Sequence, residues 1–172
     1  GEVRWQQWAH RGIYAEDGCL LEYQAVGRDI TDRKRAEDAL RHSESKYRAA
    51  FNFISDSIML LENNSFIDCN NATLLLFGCT REEFLAKHPA DLSPPTQPCG
   101  TNSVDLSNRR IELAFRKGSL RFDWVHKRLD TGLPFPAEVL LSSMELDGKP
   151  VLQALVHDIT ERRHAEDERK ER

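Results

Sequence analysis

The alternation of apolar and polar residues changes period several times along this chain, and each change marks an element. Residues 3–14 and 20–29 are rich in Trp5, Trp8, Ile13, Tyr14, Leu20, Leu21 and Tyr23, with Asp17-Gly18 between the two runs. An Asp-Gly pair flanked by such runs is a hairpin signal, so two paired strands are predicted. A lone hairpin is marginal in water, so this pair must pack against something else. From Asp32 to about Tyr47 the chain is charged and free of Gly and Pro, which suits a helix. Ala36, Leu40, Ser43, Tyr47 and Ala50 fall at the spacing of a short coiled-coil seam; a solvated connector helix fits the same residues.

Residues 44–54 continue in helical pattern, with Tyr47, Phe51 and Ile54 on one face. "SIMLLENNSFIDCN" reads as strand, Asn63-Asn64 turn and second strand. Asn70 suits the N-cap of a short helix from Asn71 to Phe77, which Gly78 would close. Thr80-Arg81-Glu82-Glu83 fits a capping box for a helix reaching about Lys87. Pro89, Pro94, Pro95 and Pro98 predict an irregular loop, and residues 103–117 a longer helix ending at Gly118. Three alternating runs come next: Leu120, Phe122, Trp124 and His126; then Phe135, Ala137, Val139 and Leu141; then Leu152, Ala154 and Val156. Period two marks an antiparallel sheet with one buried face. The fold class is therefore α+β, with helices gathered on one side of the sheet.

Composition narrows the function. The chain has 172 residues, 40% apolar and 30% charged, as an ordinary globular protein does. Its net charge of −4 argues against a nucleic-acid partner. Acidic residues flank the basic patches Arg33-Lys34-Arg35 and Arg162-Arg163, which read as solvated helix faces. No apolar run approaches the roughly 18 residues that cross a bilayer, and no signal peptide opens the chain. No membrane partner is expected within this chain. The start, Gly-Glu-Val-Arg-Trp, lacks Met and runs straight into a strand pattern, so the chain reads as a piece of a longer protein. Cys19, Cys69, Cys79 and Cys99 form no CxxC pair and have no His at ligand spacing, so free thiols and no metal site are expected.

One phrase is written twice. "GRDITDRKRAED" spans 27–38 and "VHDITERRHAED" spans 156–167, at a constant offset of 129 residues. Each copy comes after an Asp-Gly turn and an apolar strand, and each opens a charged helix. Repetition at this distance points to repeated domains, since solenoid periods are about 20–50 residues. Asp29 or Thr31, and Asp158 or Thr160, are suited to cap the adjoining helix. These four residues are the candidates for passing a change in the strand to the helix.

Three phrases in this order resemble a PAS sensor domain over nearly all of residues 45–160: "DCNNATLLLFGCTREEFLAKHPADLSP", "RFDWVHKRLDTGLPFPAEVLL" and "LDGKPVLQALVHDIT". The opening "EVRWQQWAHRGIYAEDGCLLEYQAVGRDIT" looks like the last two strands of an earlier copy. The resemblance implies a PAS-like five-stranded antiparallel sheet with helices on one face, flanked by N- and C-terminal linker helices. It divides the chain into a truncated hairpin (1–31), a connector helix (32–46), a PAS domain (47–160) and the start of an output helix (161–172). It further implies a bacterial sensory module of the histidine-kinase or diguanylate-cyclase type, a homodimer with an effector domain linked downstream. No output chemistry is written here. His42 and His164 lack a phospho-accepting histidine box, and neither a Gly-rich nucleotide loop nor a GGDEF stretch occurs.

The family's ligand pocket lies between the inner sheet face and the helices. The resemblance thus makes Asn70, Phe122, Trp124, His126, Phe135, Ala137, Val139, Leu141, Leu152, Ala154 and Val156 its candidates. Ordinary core explains most of them. Trp124 and His126 differ, because each carries a polar atom that needs a partner when buried. Haem is disfavoured, since family members that bind it take an axial His from the long helix and residues 103–117 contain none. His88 reads instead as a partner for a helix C-terminus. Photoactive flavin is disfavoured too: the characteristic Cys motif is absent, and Val156 stands where those members use Gln. The cofactor is left open between none, a small organic ligand and a non-covalent flavin; the last would make the chain a redox sensor.

Overall fold

The computed structural model describes residues 2–170. The chain forms two compact units, one ending at Ala50 and one beginning at Phe51.

In the first unit, β1 (Gln6–Tyr14) pairs antiparallel with β2 (Leu20–Asp29). Gly18 closes the turn at φ 83°, a left-handed conformation that a residue without Cβ adopts freely. Trp8, His10 and Tyr23 stack along one face of the hairpin, with ring centroids 6.4 and 5.6 Å apart. Gly27 makes room for that stack, since a Cβ there would lie 2.9 Å from the Trp8 ring. Trp8, Tyr14, Leu20, Leu21 and Tyr23 are all exposed. The helix α1 (Thr31–Phe53) then runs without interruption. The stretches read separately as 32–47 and 44–54 are one helix, because no Gly or Pro lies between them to stop it. Of its seam, Ala36, Leu40, Ser43, Tyr47 and Ala50 are exposed.

The second unit carries β3 (Ser57–Glu62), β4 (Ser65–Cys69), α2 (Asn71–Phe77), α3 (Arg81–Leu85), α4 (Ser103–Lys117), β5 (Ser119–Lys127), β6 (Pro134–Leu146), β7 (Lys149–Asp158) and α5 (Thr160–Lys170). Its five strands form one antiparallel sheet in the order β4-β3-β7-β6-β5, the α+β architecture expected from the alternation. Two tight turns define the hairpins: Asn63-Asn64 at φ 48° and 64°, and Asp147-Gly148 at φ 51° and 74°. Positive φ at both central residues gives a turn whose twist matches the flanking strands, and Asn, Asp and Gly tolerate it best. The predicted caps form as well. Asn70 opens α2, Gly78 closes it at φ 68°, and Thr80 with Glu83 makes a reciprocal capping box on α3.

Three local details differ from the sequence reading. The helix α3 stops at Leu85, short of Lys87. Residues 89–92 are not irregular but form a 3-10 turn with Pro89 in its first position, where a missing N–H leaves nothing unsatisfied. His88 caps the start of that turn, its Nδ1 accepting from the Ala90 amide at 3.2 Å, and so does not serve a preceding helix C-terminus. The final two residues of the predicted 161–172 helix lie outside the described residues. No helix among the described residues is long and apolar enough to cross a membrane.

Candidate functional site

A cavity of about 70 Å³ lies between the inner face of the sheet and the segments that cover it. Of the residues named from the sequence, Phe122, Trp124, His126, Val139, Leu141, Ala154 and Val156 line it. Alternation brings them together: they sit on β5, β6 and β7, and all point to the same side of the pleat. Met59, Leu61 and Phe66 from β3 and β4 extend the same wall. Pro89, Leu92 and Ser93 from the 3-10 turn, with Ser107, Arg110 and Ile111 from α4, cover it.

Four of the proposed pocket residues, Asn70, Phe135, Ala137 and Leu152, stand elsewhere. The side chain of Asn70 is fully occupied: its Oδ1 accepts from the amides of Ile58 and Thr73 at 3.0 and 3.1 Å and from the Thr73 hydroxyl at 3.0 Å. Its Nδ2 donates to the carbonyl of Asp56 at 2.9 Å and to that of Phe51 at 3.2 Å. Asn70 thus ties the end of α1, β3 and α2 together and leaves nothing free for a ligand. Ala137 is completely buried, opposite Trp124 in the strand register, inside close-packed core and away from the cavity wall. Phe135 and Leu152 are likewise core.

The polar atoms of Trp124 and His126 meet different fates. Nε1 of Trp124 donates to Oγ of Ser93 at 2.9 Å, which anchors the covering turn to the sheet. Nδ1 of His126 lies 3.1 Å from the carbonyl oxygen of Leu92. A carbonyl can only accept, so Nδ1 carries the proton and Nε2 presents a lone pair. That Nε2 is buried and has no hydrogen-bond partner among the described residues. Burial pushes the His126 pKa down to about 4, against a smaller opposite pull from the Leu92 carbonyl. The ring is therefore neutral at pH 7. Arg110 lies over the face of Phe122 at 5.0 Å, a cation–π contact at the rim.

The second candidate feature is the junction of β7 and α5. The Asp158 carboxylate accepts from the Thr160 amide at 2.8 Å and from its hydroxyl at 2.5 Å. Thr160 is thus the first helical residue and a donor, and the capping carboxylate belongs to Asp158. The Ile159 amide donates to the Pro136 carbonyl at 3.1 Å, which binds the junction to β6. At the other repeat the Asp29 carboxylate accepts from the Thr31 amide and hydroxyl at 2.9 and 2.6 Å, and the Ile30 amide donates to the Trp5 carbonyl. These bonds from Thr31 hold the Asp29 pKa below the ordinary carboxylate value.

Sequence reasoning missed the ion pairs just beyond each junction. In α5, Arg163 pairs with Asp123 on β5 at 2.9 Å and Arg162 with Glu138 on β6 at 3.5 Å. That basic pair is not merely solvated but reaches the outer face of the sheet. In α1 the matching Arg33 and Lys34 both pair with Glu37 of their own helix. An acidic residue at an outward position of each edge-side strand was the available signal.

The cavity is too small for a haem or a flavin ring as it stands, since cofactor-sized ligands occupy clefts of roughly 300–1,000 Å³. The four cysteines are free thiols, and only Cys69 is buried.

Comparison with known proteins agrees with this geometry. The PAS domain family model matches residues 55–161. A methyl sulfide methyltransferase-associated sensor of Methanosarcina acetivorans is 28% identical over 77% of this chain and 13% of its own length. Sensor protein FixL of Bradyrhizobium diazoefficiens is 26% identical over 90% of this chain and 31% of its own. The chain thus spans less than a third of either relative's length. A solved PAS domain from a two-component sensor histidine kinase superposes with a TM-score of 0.56 at 20% identity, covering 69% of this chain and 98% of that one. The sheet order, the capped helices and the match over residues 55–161 have one meaning: the chain belongs to the PAS domain family.

Proposed function

We propose that this PAS domain is the sensory and signal-transducing module of a multidomain cytoplasmic signalling protein of bacterial type. Its output is a histidine kinase or a diguanylate cyclase linked downstream, and catalysis belongs to that output. Residues 1–31 are the closing hairpin of a preceding PAS copy, 32–46 the connector, 47–160 the sensor and 161–172 the start of the output helix. The exposed seam of Ala36, Leu40, Ser43, Tyr47 and Ala50 supports pairing of two chains into a homodimer.

One observation carries the relay. Val156 lines the cavity, and two residues further on Asp158 holds the first amide of α5 at 2.8 Å. The strand that walls the cavity therefore aims the output helix without a flexible linker. Arg162 and Arg163 fix the direction of the first turn against β5 and β6. A flavin-linked redox sensor, the competing reading, is not favoured by a cavity of about 70 Å³.

The test is activity of the intact parent protein, wild type against Asp158→Ala/Thr160→Ala, with folding checked by circular dichroism. The double variant is expected to fold while its effector no longer follows the signal. An effector that responds normally would reduce the repeated Asp-Ile-Thr to a structural full stop.

A further inference from the structure

The free edge of β5 carries a feature that the sensory function does not use. Gln97 is 5% exposed, and its amide meets the peptide groups of Val125 as a neighbouring strand would. Its Oε1 accepts from the Val125 amide at 2.9 Å, and its Nε2 donates to the Val125 carbonyl at 3.0 Å. The same Nε2 donates to Oγ of Ser103 at 3.0 Å, which holds the side chain from behind. Val125 lies opposite Pro136, which has no N–H to give, so the Val125 peptide groups turn away from β6. By the same alternation the peptide groups of Ser119, Arg121 and Asp123 turn outward as well. All three residues are exposed, and no backbone hydrogen bond from another described segment reaches them on that edge. We propose that the β5 edge is a docking surface for β5 of a second copy, and that Gln97 is the plug that keeps it shut.

Charge names the occupant. An antiparallel pair of β5 edges centred on Phe122 sets Arg121 opposite Asp123 of the second copy, and two-fold symmetry repeats the contact in reverse. Opposite charges directly across a strand pair stabilise it, and like charges oppose it. Sliding by two residues keeps every side chain on its face, but it sets Arg121 against Arg121 or Asp123 against Asp123. The favoured register also places Val125 opposite Ser119, once on each side of the axis. Those are the pairs that Gln97 forbids. Within one chain Arg121 bonds Glu138 at 2.5 Å and Asp123 bonds Arg163 at 2.9 Å, so both charges are satisfied while the edge is plugged.

The experiment is sedimentation of the whole 172-residue chain, wild type against Gln97→Ala, with folding checked by circular dichroism. Gln97→Ala is expected to reach twice the mass of wild type at matched concentration, through association at least about tenfold tighter. Adding Arg121→Asp should abolish that gain. Adding Asp123→Arg as well restores opposite charges across the edge and should return it. If Gln97→Ala does not fold, Gln97→Asn takes its place, since it keeps the amide but is one methylene too short to reach Val125. A folded variant that stays at wild-type mass would overturn the proposal and leave the edge open only to a strand of another kind of chain. Mass gained equally with and without Arg121→Asp would be unspecific adhesion and would overturn it too. Amide exchange in the wild type is a further check: the Val125 amide should exchange at least about tenfold more slowly than those of Arg121 and Asp123. Equal protection at all three would mean that the whole edge is already covered, and Gln97 would then be no plug.

Discussion

The hairpin β1–β2 and the hairpin β6–β7 share a design and differ in everything that surrounds it. Both use an Asp-Gly turn, both end in Asp-Ile-Thr, and both bind the adjoining helix with the same pair of hydrogen bonds from threonine. Register extends the match: Gln6 lies opposite Asp29 as Ala137 lies opposite Asp158, so Trp8 and His10 occupy the positions of Val139 and Leu141. Yet Val139 is 5% exposed and Trp8 is 54% exposed. The difference lies in neighbours. β6 pairs with β5 and β7 with β3, whereas β1 and β2 pair only with each other. Local sequence thus suffices for turn, register and junction, while burial of the inner face requires further strands and helices.

The largest expected effect comes from that contrast. Trp124 is 6% exposed and anchors Ser93 through its indole nitrogen. Trp124→Ala should lower the stability of the second unit by about 3–5 kcal/mol, as loss of a large core side chain does. Trp8→Ala should move the same denaturation midpoint by less than about 0.5 kcal/mol, as surface changes do. Comparable losses in chemical denaturation would mean that the hairpin face is buried in solution and that the contrast fails.

Acid should separate the two regions next. His126 titrates at about 4 in the folded chain, against an ordinary value near 6.5 once unfolded. Between those values the unfolded state holds the extra proton, so stability falls as pH drops from about 6.5 towards 4, by about 3 kcal/mol in all. Below that range both states are protonated and this contribution is flat. The hydrogen bonds that hold Asp130 and Glu83 below their ordinary values, from Arg128 and Thr80 respectively, are lost only at lower pH still. Melting temperature against pH should show the slope in wild type and lose it in His126→Leu. His10→Leu, on the exposed hairpin, should leave it in place.

Much of this was legible beforehand, and the reason is period. Side chains in a strand alternate, so the inward set Phe122, Trp124 and His126 could be read directly and lines the cavity. Turns and caps were legible because Asn63-Asn64, Asp147-Gly148, Asn70 and Thr80 act within a few residues of themselves. The cover of the cavity was not. Pro89, Leu92 and Ser93 belong to a short turn with no period, and which face of α4 presents Ser107, Arg110 and Ile111 depends on how the preceding loop is draped. Asn70 shows the same limit from the other side: its cap was readable, its bonds to three distant carbonyls were not. Gln97 was invisible altogether. It accepts from the Val125 amide at 2.9 Å and donates to the Val125 carbonyl at 3.0 Å, closing the free edge of β5 with an amide from a proline-rich loop.

The smallest effect tests the junctions themselves. Asp158→Ala removes a capping acceptor from α5 and should lower the stability of the second unit by about 1 kcal/mol. Asp158→Asn retains an oxygen that can accept from the Thr160 amide and hydroxyl, so it should recover most of that loss. Asp29→Ala removes the same two bonds from the first repeat, at Thr31. Because the core cluster runs only from Met59 to Val156, Asp29→Ala should leave the cooperative transition of that core where it is. Urea midpoints for the three variants, measured side by side, separate the cases. Should Asp29→Ala shift the transition as far as Asp158→Ala does, the two repeats would be melting as one cooperative body. Their likeness would then extend beyond local geometry to shared stability.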